Sequence, residues 1–329
     1  ISAHKSACVC VDVPSGCDGD TGAVYPHTLK ADHTVTFFRK KLAHVLEPAR
    51  SQCGQIHLYQ IGIDSQCLDQ IGFSAYENSP SSWLHKFPQA GDNTHKYKKG
   101  HAVVYGGDKM TGAARLVAES CMRMGAGLCT LACKPEARDV YRSSLPAHII
   151  VRDEPLWNDP RVSARVIGPG AGQDVHKLVD KFIDFGSPVV LDADALSSLK
   201  TYRDDIVLTP HEGEFKRLFP EDNFPKFERV LKATHKTEAA IILKGSDTII
   251  AQKGRKPVIN IHSSPHLASA GTGDVLSGMI GGLLAQGMPA FVASCAAVWL
   301  HGEAGLRLGR GMVASDISDE LPSILKDLL

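Results

Sequence analysis

Short apolar runs and amphipathic stretches alternate along most of the chain after Gly100. The runs His101–Tyr105, Leu128–Cys133 and Arg165–Ile167 are continuous, which is typical of strands buried on both faces. Between them, Ala113–Met124 repeats its apolar residues at helical spacing. Strands and helices in this order predict an α/β fold, in which helices cover both faces of a mostly parallel sheet.

The same reasoning predicts the other elements of this region. They are a helix at Val175–Phe185, strands at Pro188–Leu191, Asp205–Leu208 and Ala239–Leu243, a hairpin of Thr248–Gln252 and Pro257–Ile261, and helices up to the C-terminus. Most strands end in a polar or glycine cluster, such as G-G-D, G-P-G, D-A-D, T-P-H or K-G-S-D. Because ligands bind beyond the carboxyl ends of parallel strands, we expect these clusters to form one site.

The N-terminal region follows a different pattern. Its strand-like runs are Cys8–Val13, Thr34–Phe38 and Gln55–Ile61. A polar stretch with several Pro and Gly residues follows and is typical of a linker. The predicted parts are an N-terminal part (1–71), a linker (72–94) and a larger domain (95–329). Because the sequence begins at Ile1, close to a strand, we expect it to be the later part of a longer protein.

Composition narrows the classes of function. The chain has 329 residues, 43% hydrophobic and 22% charged, which suits packed cores in about two domains. Basic and acidic residues both number 36, so we expect no nucleic-acid partner. Nine scattered cysteines without a C-x-x-C pair predict reduced thiols. Together with the missing secretory signal, they indicate a cytoplasmic protein.

One uncharged stretch, Val275–Leu300, is long enough to cross a bilayer. Glycines and Pro289 interrupt it, and its central Q-G-M-P segment predicts a turn between two buried helices. We therefore expect no membrane partner.

The segment Ala268–Gly278 (A-S-A-G-T-G-D-V-L-S-G) places glycines before an apolar helix. Exposed amide groups at such a helix start, together with the helix dipole, form an anion site. Asp274 in the first turn is either a helix cap or a base that takes a proton from a hydroxyl group attacking a phosphoryl group. The segment alone leaves both interpretations open.

Other strand ends carry similar alternatives. Lys244–Thr248 (K-G-S-D-T) suits nucleotide phosphates and ribose, or a solvated turn. His211 in T-P-H-E-G-E contacts a ligand or caps the next helix. In D-A-D, Asp194 is typical of a helix cap, whereas Asp192 either caps a helix or holds Mg²⁺ through water.

Eight motifs, in order, resemble the NAD(P)H-hydrate dehydratase family, which has a ribokinase-like fold. Between about residues 95 and 329 they are H-K-Y-K-K-G-H-A-V-V-Y-G-G-D, G-A-A-R, M-G-A-G-L, I-G-P-G-A-G, L-D-A-D-A-L, L-T-P-H-E-G-E, L-K-G-S-D-T and A-G-T-G-D-V-L-S-G. Ordered matches are more specific than any single motif, so they favour the functional interpretation of each site.

The resemblance implies a hydro-lyase that repairs NADH or NADPH hydrated across the 5,6 double bond. It implies ADP as phosphoryl donor, with ATP as the alternative, Mg²⁺ as cofactor, release of AMP and phosphate, and Asp274 as the base at the 6-hydroxyl. The implied residues for the hydrated nucleotide are Ala113, Gly170, Gly172, His211 and Asp274. Those for ADP are Lys244, Gly245, Ser246, Asp247, Thr248, Gly271 and Gly273. A homotetramer is also implied.

The N-terminal part resembles the end of the NAD(P)H-hydrate epimerase domain, which many bacteria fuse ahead of the dehydratase. The matching motifs are V-D-V-P-S-G, A-D-H-T-V-T-F and C-G-Q-I. The resemblance implies that Asp12 contacts the substrate and that Ser15 contacts a potassium ion. The N-N-G-G-D loop of that family is not in the given sequence, so we do not expect epimerase activity from this chain alone.

Two other functions fit the residues. One is a kinase of the same fold that acts on a small vitamin-precursor alcohol, and the other is a non-catalytic nucleotide-binding remnant. The pair of motifs T-P-H-E-G-E and K-G-S-D-T favours the dehydratase over the kinase. Turnover of hydrated NADH with ADP would exclude the remnant.

Overall fold

Two sheets organise the chain. In the computed structural model, which describes residues 6–89, 91, 93–153, 159–197, 203–220 and 223–329, a three-stranded sheet precedes a ten-stranded one. The predicted start at Ile1 lies outside the described residues. The small sheet contains the parallel strands β1 (Val9–Val11), β2 (His33–Phe37) and β3 (Gln55–Tyr59).

The large sheet carries the rest of the fold. Its strands are β4 (Tyr76–Glu77), β5 (His101–Gly106), β6 (Leu128–Cys133), β7 (Ile150–Asp153), β8 (Ala164–Ile167), β9 (Val189–Leu191), β10 (Ile206–Leu208), β11 (Ala240–Leu243), β12 (Thr248–Ala251) and β13 (Val258–Asn260). Their spatial order is β4-β13-β12-β11-β10-β9-β8-β5-β6-β7. Neighbours are parallel except at β11–β12 and β12–β13, so the predicted mostly parallel sheet and its hairpin are confirmed.

Helices cover both faces of the large sheet. The short helix α1 (Cys67–Ile71) comes before this sheet in the chain. The helices that follow are α2 (Thr111–Arg123), α3 (Arg138–Ser144), α4 (His176–Asp184), α5 (Glu212–Leu218), α6 (Lys226–Thr234), α7 (Thr272–Ala285), α8 (Ala290–Leu308) and α9 (Ala314–Leu328). Apolar residues of α2, α7, α8 and α9 form the core on one face. Those of α4, α5 and α6 form the core on the other face. The predicted α/β architecture is therefore confirmed.

The strand order has a switch point at β5. The chain continues from β5 to β6 and β7 on one side of it, whereas β8 to β11 lie on the other side. Connections that leave in opposite directions open a crevice at the carboxyl ends of the strands, where such sheets bind ligands. The predicted glycine clusters after β5 and β8 meet there, because a Cβ atom on Gly107 would lie 2.1 Å from the Gly170 carbonyl oxygen.

The predicted linker contributes to the large sheet and its core. Its strand β4 pairs in parallel with β13. The buried Asn78 side chain donates hydrogen bonds to Asn260 Oδ1 at 2.9 Å and to the Cys295 carbonyl at 2.8 Å. Trp83 and Phe87 are buried against the α8 side of the core. The three-part division of the chain stays a prediction, but residues 76–87 pack as part of the larger body.

The turn predicted at Q-G-M-P is present. It separates α7, which ends at Ala285, from α8, which begins at Ala290. Both helices are largely buried, α7 against α2 and the sheet, and α8 against α7, α9 and the sheet. Of the described helices, none combines the length and apolar character needed to span a membrane.

Candidate active site at the carboxyl edge of the large sheet

The start of α7 lies at the centre of the site. Gly271 precedes the helix with a φ of 89°, a left-handed conformation that favours glycine. A Cβ atom there would lie 2.7 Å from Leu116 Cδ1, so the side chain of Leu116 in α2 packs closely against this glycine. Two residues further on, a Cβ atom at Gly273 would lie 3.5 Å from Lys244 Nζ. The start of α7 therefore lies beside the lysine that follows β11.

Lys244 is held by a buried carboxylate. Its Nζ lies 3.0 Å from Oδ1 of Asp192, a residue only 2% exposed at the end of β9. Ser277 Oγ donates to the other oxygen of Asp192 at 2.6 Å, and the Ala193 amide donates to Oδ1 at 2.9 Å. Strands β9 and β11 and helix α7 thus fix the lysine next to the helix start.

The electrostatics of Asp274 suit a base. Burial, together with the negative charge of Asp192, raises the pKa of the Asp274 carboxyl group to about 6, and the charge of Lys244 opposes this rise. A carboxylate with a raised pKa accepts a proton more readily at neutral pH than an ordinary aspartate does. No hydrogen bond within the described part of the chain occupies this carboxylate as a helix cap, since α7 has no side-chain cap.

A cavity of about 420 Å³ opens beside this cluster. Its walls come from the turn after β11, the segment before α7, the start of α7 and the middle of α8. Lining residues include Lys244, Gly245, Ser246, Thr248, Asn260, Ser264, Ala268, Thr272, Gly273 and His301. Small-molecule sites in proteins have volumes of this order.

His301 is a cavity residue that the sequence analysis missed. Its Nε2–H donates to the Thr272 carbonyl at 2.9 Å. Burial lowers the pKa of the imidazole to about 4, so the ring is neutral at physiological pH. Its role in the described structure is to support the first turn of α7.

The residues of K-G-S-D-T occupy different environments. Gly245 and Ser246 are exposed at the cavity, and Thr248 Oγ1 donates to the Gly245 carbonyl at 2.7 Å. Asp247 points elsewhere: it is 3% exposed, pairs with Lys226 Nζ and accepts a hydrogen bond from the Glu47 amide at 2.9 Å. The geometry gives Asp247 a structural function, whereas the neighbouring residues line the cavity.

The residues implied for the hydrated nucleotide lie along the same edge. A Cβ atom at Gly170 would lie 3.0 Å from Ala113 Cβ, so the starts of α2 and of the loop after β8 touch. The Gly172 amide donates to Asp194 Oδ2 at 2.9 Å. Asp194 therefore binds the glycine loop.

His211 caps a helix, as one of the two interpretations predicted. Its Nδ1 accepts from the amides of Gly213 at 3.0 Å and Glu214 at 3.4 Å, and Glu214 bonds back to the His211 amide at 2.8 Å. The side chain remains 58% exposed, and its Nε2 lies 3.3 Å from Glu214 Oε1. A ligand contact by His211 stays a prediction.

The residues around Asp192 do not fit direct coordination of Mg²⁺. Both carboxylate oxygens are already engaged by Lys244, Ser277 and the Ala193 amide. Across the described ranges, no group of three His, Cys, Asp or Glu side chains is arranged to hold a metal ion. We therefore assign Asp192 to the positioning of Lys244 and route no chemical step through a metal there.

Asp12 lies in a separate cluster in the small sheet. Thr36 Oγ1 donates to its Oδ1 at 2.8 Å, Lys41 Nζ pairs with the same oxygen, and His44 Nε2–H donates to its carbonyl at 2.7 Å. Burial opposes ionisation, but the hydrogen bonds from Lys41 and Thr36 keep the pKa of Asp12 below its ordinary value. The roles of Asp12 toward a substrate and of Ser15 toward potassium stay predictions.

The large sheet, the glycine-led helix and the lysine–carboxylate pair at its edge define an enzyme of the ribokinase-like class. A ribokinase-like superfamily protein from Enterococcus faecalis superposes with a TM-score of 0.70 at 25% identity, over 78% of this chain and 97% of that one. The chain belongs to the NAD(P)H-hydrate dehydratase family, whose sequence pattern matches residues 101–326. The pattern of the YjeF-related protein N-terminus matches residues 1–43.

Curated relatives extend beyond the given chain. The bifunctional NAD(P)H-hydrate repair enzyme Nnr of Coxiella burnetii is 33% identical over 94% of this chain and 68% of its own length. The Nnr of Escherichia coli is 34% identical over 98% of this chain and 66% of its own length. The chain thus spans about two thirds of these relatives.

One solved relative was crystallized with a nucleotide. The ADP/ATP-dependent NAD(P)H-hydrate dehydratase of Bacillus subtilis, co-crystallized with ATP and Mg²⁺, has a TM-score of 0.69 and 28% identity. The match covers 78% of this chain and all of that one, 100%. The fold and family expected from the ordered motifs are confirmed.

Proposed function

We propose that this chain dehydrates hydrated NADH or NADPH with ADP as the phosphoryl donor. The observation that carries the proposal is that Lys244 and Gly273 of the α7 start line one cavity, while Asp274, the residue after Gly273, interacts electrostatically with Lys244. A base, a cation and an anion-binding helix start are the groups that phosphoryl transfer to a hydroxyl requires. The residues of K-G-S-D-T that line the cavity would bind the donor.

The reaction balances in two steps. Asp274 removes the proton of the 6-hydroxyl, whose oxygen attacks the β-phosphorus of ADP while the bond to AMP breaks. The α7 amide groups and Lys244 stabilise the charge that develops on the phosphoryl oxygens. The C6–O bond then breaks to release phosphate, and a proton leaves C5 to restore the 5,6 double bond. Phosphate leaves more readily than hydroxide, which is the reason for using a donor.

Several finer features belong to the same proposal. ADP rather than ATP follows from the bifunctional layout of the relatives, and Mg²⁺ would enter with the nucleotide phosphates rather than on Asp192. A homotetramer and a cytoplasmic location are proposed with them. Competition between ADP and ATP in turnover assays tests the first of these features, and light scattering tests the oligomeric state.

The direct test is recovery of the nicotinamide chromophore. The full chain is incubated with ADP and hydrated NADH, and the return of absorbance near 340 nm is followed. Wild-type protein should restore it, with one AMP and one phosphate formed for each NADH. ADP binding without any turnover would contradict the proposal.

Asp274→Asn is the variant that separates catalysis from binding. Loss of the base should lower kcat by about 10²–10⁴, because general-base catalysis contributes on that order. Calorimetric ADP affinity should stay close to wild type, since the amide replaces a group that is not a phosphate ligand. A variant that keeps more than a tenth of the wild-type rate would show that Asp274 is not the base.

A further inference from the structure

The wall of the cavity is completed by two residues from the N-terminal region. Glu47 and Arg50 line it together with the residues of the large domain. We propose that Arg50 binds a phosphate group of the donor nucleotide. Residues from both parts of the chain would then form the donor nucleotide site. The inference rests on the proposed use of a nucleoside diphosphate.

The position of Arg50 is fixed by the large domain. Its Nη1 donates to the Ser246 carbonyl at 2.9 Å, and its Nη2 lies 3.5 Å from the Ile261 carbonyl. Ser246 belongs to the turn after β11, and Ile261 follows β13 directly. The guanidinium group thus spans two segments that both border the cavity.

A second contact holds the segment that carries Arg50 in place. The Glu47 amide donates to Asp247 Oδ2 at 2.9 Å, while Oδ1 of that carboxylate pairs with Lys226 Nζ. Asp247 is almost fully buried, so this contact is shielded from water and holds its geometry. The segment that contains Glu47 and Arg50 therefore contacts the turn after β11 at two points, Ser246 and Asp247.

The chemistry of Arg50 fits an anion. A guanidinium group has five N–H donors, and the two carbonyl contacts leave the others available for a ligand. Lys244, the other cation that lines the cavity, already pairs with Asp192. Arg50 forms no such ion pair within the described ranges, and a planar guanidinium binds phosphate oxygens in a fixed fork. Its charge is thus available to the phosphates of ADP.

The test measures the ADP dissociation constant of the full chain by calorimetry. The variants are Arg50→Ala, Arg50→Lys and Arg39→Ala. Arg39 is a matched control, since it also bonds a backbone carbonyl in the N-terminal region but does not line the cavity. Thermal midpoints of the ligand-free proteins show whether each variant is folded.

We expect Arg50→Ala to weaken ADP binding by about tenfold, the effect of losing a charge-assisted hydrogen bond. Arg50→Lys should recover part of the loss because it keeps the charge, and Arg39→Ala should bind like wild type. An Arg50→Ala affinity within twofold of wild type overturns the inference, as does an equal loss in the alanine and lysine variants. Failure of the wild-type chain to bind ADP would instead overturn the proposed function.

Discussion

At the scale of residues, the site depends on how neighbouring charges set the state of Asp274. Asp192 is buried and holds Lys244, so a negative and a positive charge both lie near the proposed base. Burial raises the pKa of Asp274, the charge of Asp192 adds to this rise, and the charge of Lys244 limits it. The balance keeps Asp274 ionised at neutral pH while leaving it basic enough to accept a proton.

This balance predicts a pH dependence. The base must be deprotonated, and the pKa of Asp274 is about 6, so kcat/KM should fall about tenfold per pH unit below that value. Asp192→Asn removes the negative neighbour, which lowers the pKa of Asp274 and moves the acidic limb to lower pH. Rate–pH profiles of the wild-type protein and of Asp192→Asn test this prediction. If the acidic limb of the profile lies at the same pH in both proteins, it reports the ionisation of a group other than Asp274.

Sequence motifs identified some residues of the site but not others. Lys244 and Asp274 could be found because each follows a strand end or opens a helix, where local pattern predicts position. Ser277, His301 and Arg50 could not, since their contacts come from packing between distant segments. Asp247 is buried and pairs with Lys226, which the motif did not indicate, and its contact with ADP stays a prediction.

At the scale of elements, small residues let α7 approach its neighbours. A Cβ atom on Gly278 would lie 1.9 Å from Ser120 Oγ and 2.3 Å from the Val117 carbonyl of α2. The same close approach brings Gly271, just before α7, against Leu116 in the middle of α2. The position of Asp274 is therefore set by helix packing as well as by its own turn.

Gly278→Ala should accordingly destabilise the protein. The added methyl group meets backbone atoms that cannot move aside cheaply, so we expect a loss of about 1–3 kcal/mol in the free energy of unfolding. Gly112→Ala in the first turn of α2 is the control, because nothing lies within 4 Å of its added Cβ atom. Denaturant titration measures both, and equal stability of the two variants would contradict the packing argument.

Strand prediction succeeded where the apolar run was continuous. Leu128–Cys133 was located to the residue, and most other strands to within one or two positions. Strands β4 and β7 and the helices α1, α3 and α6 were not predicted, whereas α5 was expected only as the helix that follows His211. Strand β4 has two exposed residues and exists because it pairs with β13, so no local pattern could predict it.

At the scale of the whole molecule, the segment between the two regions is part of the packing. Trp83 is 1% exposed, and its ring lies 5.9 Å from that of Trp299 in α8. Its burial, with that of Asn78, holds β4 against the sheet. The composition of residues 72–94 predicted a linker, because Pro, Gly and Ser are frequent in both linkers and irregular packed segments.

Trp83→Ala tests the contribution of this segment. Removal of a fully buried indole should cost about 3–5 kcal/mol in the free energy of unfolding. Ile71→Ala, at a position 75% exposed, should change it by less than about 0.5 kcal/mol. Thermal or denaturant unfolding of both variants provides the measurement, and a Trp83→Ala protein as stable as wild type would show that the segment is dispensable.

The exposed stretch before β4 has a consequence for limited proteolysis. Most residues from Ile61 to Gly72 are exposed, whereas Asn78, Trp83 and Phe87 beyond them are buried. A protease should therefore cleave the native protein between Ile61 and Gly72 and leave the segment from Asn78 to Phe87 intact. The two fragments would still comigrate on a native gel, because the Glu47–Asp247 and Arg50–Ser246 contacts bridge the cut without a peptide bond.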